Sequence, residues 1–399
     1  MNIWIINQYA GSRIHGMNFR SWYFANEMKK AGHRPHVISA SYSHLYHQLP
    51  NIQGSFTDDM VEGIPYTWVK VRRYSGSQSI GRVLAMIQFM LRLFFFPKSK
   101  LNKPDIIMVS SLSPFPILNA WFWSKRYRAK LIFEVRDIWP LSLIEIGGMS
   151  RFHPLALFFG FFERFAYQKA DKVISLLPKA NEHMIAKGMN PKKFVYVPNG
   201  FDPNELSKTK PLSPEYLAAI PSDKFIVGYA GSIGAANAVE YLVEAAALLE
   251  SQSNICFVIV GKGQHKPDLM KKAGKNVVFL DPVGKDQVQT ILASFDVCYI
   301  GWHDHSIYRF GISPNKVFDY MFAAKPIIHS VNAGNDLVAD ANAGFSIAAE
   351  DPALIAETIE MVSKLPKDEL NRLGQNGRKF VEEHHTYEKL TAKLLTAIV

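Results

Sequence analysis

Short, nearly continuous apolar runs recur along the chain at residues 3–7, 36–40, 66–71, 105–110, 130–135, 172–176 and 194–197, then at 225–229, 256–260, 277–280, 297–300, 326–330 and 344–347. Runs that are apolar throughout, rather than alternating, belong to strands covered on both faces. Helix-length segments separate them, which predicts βαβ units and parallel sheets, an α/β fold. Several runs end in Gly, Ser or Asn just where the next helix should begin. Those positions mark the carboxyl edge of a sheet, where open α/β folds hold ligands.

The pattern breaks once. Turn formers crowd Val197-Pro198-Asn199-Gly200-Phe201-Asp202-Pro203, residues 204–223 are polar, and a fresh strand pattern starts at 225. One domain is expected before this point and one after, which suits 399 residues. Two further segments are unusually apolar. Residues 83–96 read Val-Leu-Ala-Met-Ile-Gln-Phe-Met-Leu-Arg-Leu-Phe-Phe-Phe, and residues 155–162 read Leu-Ala-Leu-Phe-Phe-Gly-Phe-Phe. Gln88 and Arg92, four apart, would share one narrow polar helical face. Both segments are too short to span a bilayer, which takes roughly 20 apolar residues. They are expected to lie in a membrane interface (83–96 and 152–167), phenylalanines in the lipid and cations at its phosphates; burial in the core is the alternative.

Composition sharpens this picture in three places. Hydrophobic residues make up 48% and charged residues 20%, enough apolar material for full cores. The net charge is +10, and residues 70–104 hold eight Lys or Arg with no Asp or Glu. Such a block suits an anionic partner, whether phosphate, nucleic acid or an acidic lipid surface, with a solvated face as the alternative; an anionic membrane surface is the partner expected here, and no nucleic acid. Cys256 and Cys298 each sit inside a strand-like run and read as buried thiols. The start, Met1-Asn2-Ile3-Trp4-Ile5-Ile6, enters a strand directly, with no secretion-signal pattern, so a cytoplasmic location is expected.

Candidate chemistry clusters at strand ends. Gly231, Ser232 and Gly234 follow one strand and precede a helix-like stretch, a turn that lets backbone approach a diphosphate; a purely structural turn is equally compatible. Lys262 sits between Gly261 and Gly263 in a similar turn. The richest segment is Tyr308-Arg309-Phe310-Gly311-Ile312-Ser313-Pro314-Asn315-Lys316-Val317-Phe318-Asp319. Ser313 reads as an N-cap with Pro314 opening the helix. Lys316 then lies in the first turn, unfavourable against the helix dipole unless an anionic ligand is near. Asp319, one turn on, could accept from ribose hydroxyls. In the first half, Gly16 and Asn18 precede a helix, Ser110–Pro116 follows a strand, and Arg136-Asp137 ends another. Arg136 could stabilise a transferring anion; Asp137 could position or deprotonate an acceptor hydroxyl. A buried ion pair at the strand end is equally compatible for either residue alone. His303/His305 and His44/His47 have ligand-like spacing without an evident third ligand, so no metal site is expected. The run Glu382-Glu383-His384-His385 reads as solvated.

Taken in order, these motifs resemble the retaining glycosyltransferases of family 4, with the GT-B fold. They include "AGHRPHVIS" at 31–39, "FEVRDIWP" at 133–140, "ADKVIS" at 170–175, "VPNGFD" at 197–202, "YAGSIGAANAVEYLVEAA" at 229–246, "VIVGKG" at 258–263 and "GISPNKVFDYMFAAKPII" at 311–328. The resemblance is to a subgroup that assembles bacterial surface polysaccharides on a polyprenyl-diphosphate carrier. It implies two Rossmann-like domains facing across a cleft: an acceptor domain at 1–200, a donor domain at 201–384, and a helix at 385–399 crossing back to the first. It further implies a nucleotide-sugar donor, a UDP-sugar by family weight, held by Gly16, Gly231, Ser232, Lys262, Arg309, Ser313, Asn315, Lys316 and Asp319, without metal or other cofactor. The family's paired glutamates fall at Gly311 and Asp319, so the first carboxylate is missing. The family's usual Arg of the glycine turn is replaced by Ser232, which leaves Lys316, Arg309 or Lys262 to balance the diphosphate. Arg136 stands where many members have a His. A nucleotide-sugar 2-epimerase and a non-catalytic membrane-bound sensor are the rival expectations.

Overall fold

The computed structural model describes residues 1–16, 19–76 and 79–399, with the backbone alone at Lys100. The chain forms two compact units, Met1–Pro198 together with Tyr387–Val399, and Asn199–Thr386.

The first unit is built on eight strands: β1 (Asn2–Ile6), β2 (Arg34–Ala40), β3 (Phe56–Val61), β4 (Ile64–Val69), β5 (Ile106–Ser110), β6 (Lys130–Val135), β7 (Lys172–Ser175) and β8 (Phe194–Tyr196). Their order is β3-β4-β2-β1-β5-β6-β7-β8, and every pair is parallel except β3 with β4. All five residues of β5 are buried, as an apolar run covered on both faces requires. The strand pattern had no place for β3, because its sequence is FTDDMV. It is an edge strand whose exposed Asp58 and Asp59 are held by the Thr67 hydroxyl (2.7 Å) and the Trp68 indole (3.0 Å). Charge on an edge strand blocks further pairing.

Four helices of this unit matter below: α1 (Arg20–Lys30), α2 (Ile80–Phe94), α3 (Ile117–Tyr127) and α4 (Pro154–Lys169). Ser79 caps α2 by accepting from the Arg82 amide. Helix α2 is apolar on two sides. Ala85, Met86, Phe89 and Leu93 are buried, while Ile80, Leu84, Leu91 and Phe94, with Phe95 just beyond, are exposed. Gln88 does not form an outward polar stripe with Arg92; its side-chain oxygen accepts from the Arg72 amide at 2.6 Å. Phe96 also departs from the interfacial expectation. It is core, packed among Trp4, Phe56 and Trp123. Helix α4 divides likewise: Phe159 and Phe162 pack on Phe115, whereas Phe152 (just before it), Leu157, Phe158 and Phe161 are exposed. Helix α3 touches both α2 and α4 and adds exposed Phe122. Among the described residues no helix is long and apolar enough to cross a membrane.

The second unit has six parallel strands, β9 (Phe225–Ala230), β10 (Ile255–Val260), β11 (Val277–Leu280), β12 (Val297–Gly301), β13 (Ile327–Ser330) and β14 (Gly344–Ile347), ordered β11-β10-β9-β12-β13-β14. Helices α5 (Val239–Leu248), α6 (Asn315–Phe322) and α7 (Lys367–His384) belong to it. Cys256 and Cys298 are free and buried in its strands, and burial pushes the Cys298 thiol up. His385, expected in solvent, is buried between Phe318 and Phe380. The last helix, α8 (Tyr387–Ile398), is part of the first unit, where Tyr387 stacks on Tyr23 at 4.4 Å and Leu390, Leu394 and Ile398 join the core.

Both sheets reverse their winding once. In the first, β5 returns to the free side of β1; in the second, β12 returns to the free side of β9. Loops at the carboxyl ends of such strand pairs diverge and leave a crevice, the usual ligand position in open α/β sheets.

Candidate active site

In the second unit the crevice lies between the turns after β9 and β12. Gly231 and Ile233 donate backbone hydrogen bonds to Val260 and Lys262, both at 2.9 Å, so the two glycine turns interlock. A Cβ built on Gly263 would come 1.9 Å from the Ile233 carbonyl oxygen, and one on Gly261 1.8 Å from that of Gly231. These glycines let two backbones cross, and Lys262 stays exposed in their turn. Gly231 makes room for a side chain instead, since a Cβ there would meet that of Lys316 at 2.8 Å.

Helix α6 begins at Asn315, with Pro314 in an extended conformation at its cap. The expectation that Ser313 caps this helix is therefore wrong. Its hydroxyl accepts from the Asn199 amide (2.9 Å) while the Asn199 side chain donates to its carbonyl (2.8 Å), so it is a strap to residue 199. Two more contacts fix α6. The Tyr320 hydroxyl accepts from the Ala230 amide at 2.8 Å, and Phe318 packs on His385.

Lys316 is the centre of this arrangement. Its ammonium donates to the Tyr229 hydroxyl at 2.9 Å and to the Asn237 side-chain oxygen, and lies 4.8 Å from the Tyr229 ring centroid. The Tyr229 hydroxyl in turn donates to the Ser232 carbonyl at 2.6 Å. Burial raises the Tyr229 phenol, which stays neutral. The ammonium thus has neutral acceptors, and no carboxylate among the described residues is within ion-pair distance. Desolvation pulls it down to about 8. A desolvated cation without an acid is what an anionic ligand would complete. Asp319, one turn on, is also desolvated, and its carboxyl is pushed up to about 7 despite Lys285 nearby. Lys285 is itself paired with Glu205 at 2.6 Å.

Gly311 has φ +110°, a glycine conformation, and its neighbour Ile312 is clamped by Asn335, whose side chain accepts from the Ile312 amide at 2.7 Å. Arg309 is exposed, folds over the Phe310 ring at 4.3 Å and donates to the Ser306 carbonyl. His303 bridges Glu350 (2.8 Å) and Glu240 (3.3 Å). In the first unit Gly16 bridges Ser12 and Tyr46, with φ +102°; Asn18 lies outside the described residues. Arg136 and Asp137 follow β6. The Arg136 amide donates to the Ser111 hydroxyl at 2.9 Å, which links them to the end of β5. Desolvation lowers the Arg136 guanidinium, opposed by Glu134. Asp137 keeps open surface but sits in a crowded recess that raises its carboxyl against the pull of Arg136 and Arg82. Glu134 is the buried partner of Arg20 (2.8 Å), and Arg20 also donates to the carbonyls of Val197 and Pro198.

Two family models match the chain. The model described as Glycosyl transferases group 1 covers residues 224–364, and the Glycosyl transferase 4-like domain covers residues 15–200. The chain belongs to the glycosyltransferases. The kinship is distant at the level of sequence. The α-D-kanosaminyltransferase of Streptomyces kanamyceticus is 26% identical over 51% of this glycosyltransferase, and the match spans about half (54%) of that relative. A glycosyl transferase named for colanic acid biosynthesis, WcaI of Escherichia coli strain K12, is 24% identical over 67% of the chain and 68% of its own length. Among solved structures, "Trehalose-6-phosphate from E. coli bound with UDP-2-fluoro glucose" superposes with a TM-score of 0.75 at 11% identity, covering 100% and 99% of the two chains. That likeness establishes the two-Rossmann fold.

Sequence reasoning missed four residues of this glycosyltransferase's site. Tyr229 and Asn237 hold Lys316, while Asn199 and His385 hold α6. Tyr229 had a signal, being a polar-tipped residue at a strand end; the others become neighbours only on folding.

Proposed function

We propose that the protein is a retaining glycosyltransferase that moves a sugar from a nucleotide-diphosphate donor, a UDP-sugar, to a lipid-linked saccharide during cell-surface polysaccharide synthesis. One observation carries the reading: Lys316, desolvated and held by neutral groups at the start of α6, beside a glycine turn with no side chain in its way. An ammonium so placed stabilises a departing diphosphate, with unpaired helix N–H groups beside it. Asp319 accepts from the ribose, and Ser232, Asn315 and the Gly231 backbone line the phosphates. Lys262 and Arg309, both exposed, serve the donor less directly. In the first unit Asp137 is the proposed residue that orients the acceptor hydroxyl, and Arg136 the proposed residue that offsets charge during transfer. No metal is invoked, because the cation is supplied by Lys316.

The donor class is supported by the UDP-2-fluoro glucose bound in the trehalose-6-phosphate structure. The acceptor class is supported by the relative named for colanic acid biosynthesis and by the exposed apolar residues of α2, α3 and α4. Those residues suit a peripheral position at the inner face of the cell membrane, with the basic 70–104 block at anionic headgroups. A thermal-shift panel of nucleotide sugars, followed by transfer to a lipid extract, tests the proposal. Stabilisation by one UDP-sugar and radiolabel in the lipid phase are expected. Stabilisation by no nucleotide sugar would overturn it.

A further inference from the structure

We infer that the carboxyl edge of the first sheet holds a second phosphate site, built on Arg82, that takes the diphosphate of the lipid-linked acceptor. The inference rests on the lipid-linked acceptor proposed above and names how it is gripped. Arg82 projects from the first turn of α2. Its Nε donates to the Tyr9 hydroxyl at 3.2 Å. Its guanidinium carbon lies 5.2 Å from the Tyr9 ring centroid and 5.6 Å from that of Trp139. Two aromatic rings beyond two different strand ends therefore flank one guanidinium. Tyr9 follows β1 and is itself fixed, buried, with its amide donating to Asn7. Tyr74 and His44 continue the wall, joined by a 3.2 Å hydrogen bond.

A guanidinium is a fork whose N–H groups match two phosphate oxygens, and one already flanked by two rings has less side-chain freedom to lose on binding. The half-buried Trp139 offers an apolar face to the sugar carbons that follow the phosphate. Asp137, two residues earlier, is the acceptor-orienting carboxylate of the proposed reaction.

A second observation points to a ligand at the same strand ends. The Gln8 amide, two residues beyond β1, has no hydrogen-bond partner for either polar atom among the described residues. The hydroxyls of Ser110, at the end of β5, and Ser113, three residues on, are likewise unpartnered. All three side chains belong to residues at most 3% exposed. Unpaired buried polar atoms are costly, and a polar ligand or water would offset that cost. The β1–β5 pair is also where this sheet reverses its winding. The same helix turns exposed Leu84, Leu91 and Phe94 outward on the face away from Arg82, so the phosphate site and the apolar stripe lie on two sides of α2.

The experiment is calorimetric titration of the full chain with geranyl diphosphate, geraniol and inorganic pyrophosphate, with UDP saturating so that the Lys316 site is filled. Geranyl diphosphate should bind at least tenfold more tightly than either of the others. Arg82→Gln should bring geranyl diphosphate and geraniol within about threefold while UDP-sugar affinity holds; Lys316→Ala should leave the preference intact. If Arg82→Gln lowers the melting temperature, Arg82→Lys keeps the cation without the fork and should still lose several-fold of the preference. Retention of the full preference in both variants overturns the site. Pyrophosphate binding as tightly as geranyl diphosphate overturns its assignment to a lipid. Donor affinity is read separately. A protein that grips geranyl diphosphate through Arg82 but no nucleotide sugar would sink the donor proposal alone, and the converse would sink this one.

Discussion

Lys316 makes an unusual prediction, because one substitution should weaken binding and strengthen the fold. Lowering a lysine from 10.5 to about 8 disfavours its charged form by up to about 3 kcal/mol. Between those pH values the unfolded chain binds more protons than the folded one, so stability should rise with pH across that window. Lys316→Met removes the buried cation. At pH 7 the ligand-free variant should be more stable by about 1–3 kcal/mol, and its stability should no longer climb between pH 8 and 10.5. Donor binding should move the other way. A charge-assisted hydrogen bond to the diphosphate contributes about 1.5–3 kcal/mol, so affinity should fall roughly 10- to 150-fold. Donor binding to the native protein above pH 8 should also take up a proton, since the diphosphate restores the ammonium. Denaturant unfolding at three pH values and calorimetry in buffers of different ionisation enthalpy measure all of this. A variant that is less stable and binds donor normally would refute the reasoning, for Lys316 would then be a structural residue satisfied by Tyr229 and Asn237.

Asp319 should set the acid limit of donor binding. With its carboxyl at about 7 it gains a proton as pH falls below 7, so donor affinity should drop roughly tenfold from pH 7.5 to 5.5, and Asp319→Asn should abolish that slope; calorimetry at each pH decides. Replacing Phe94, Phe95 and Phe161 by Ser should weaken binding to anionic vesicles, read by sedimentation, by at least about 100-fold, since each apolar ring in lipid is worth about 1–2 kcal/mol. Phe96→Ser should instead unfold the protein more easily, because Phe96 is core. Glu134→Ala takes the carboxylate from the buried Arg20 guanidinium, leaving its charge uncompensated by Glu134, and should cost about 3–5 kcal/mol in chemical denaturation; a loss under 1 kcal/mol would show the pair to be dispensable. Arg136→Ala should depress turnover at least tenfold while donor affinity stays within twofold in steady-state kinetics.

What the sequence determined by itself was local in origin. Strands such as Ile255–Val260 declare themselves because a run buried on both faces must be apolar throughout, and the glycine turns declare themselves because no other residue lets two backbones cross as Gly261 and Gly263 do. Lys316 was legible for the same reason, being a cation in a helical first turn. Tertiary structure alone decided what surrounds these residues. Ser313 has the sequence of a cap, yet its hydroxyl goes to Asn199, 114 residues away. Phe95 and Phe96 are adjacent and identical in type, yet one is 81% exposed and the other 3%. His385 sits in a charged run but is drawn into the core by Phe318 and Phe380. Hydrogen-bond partners and burial depend on which distant segments arrive at a site, and a periodic pattern read along one chain carries no record of that.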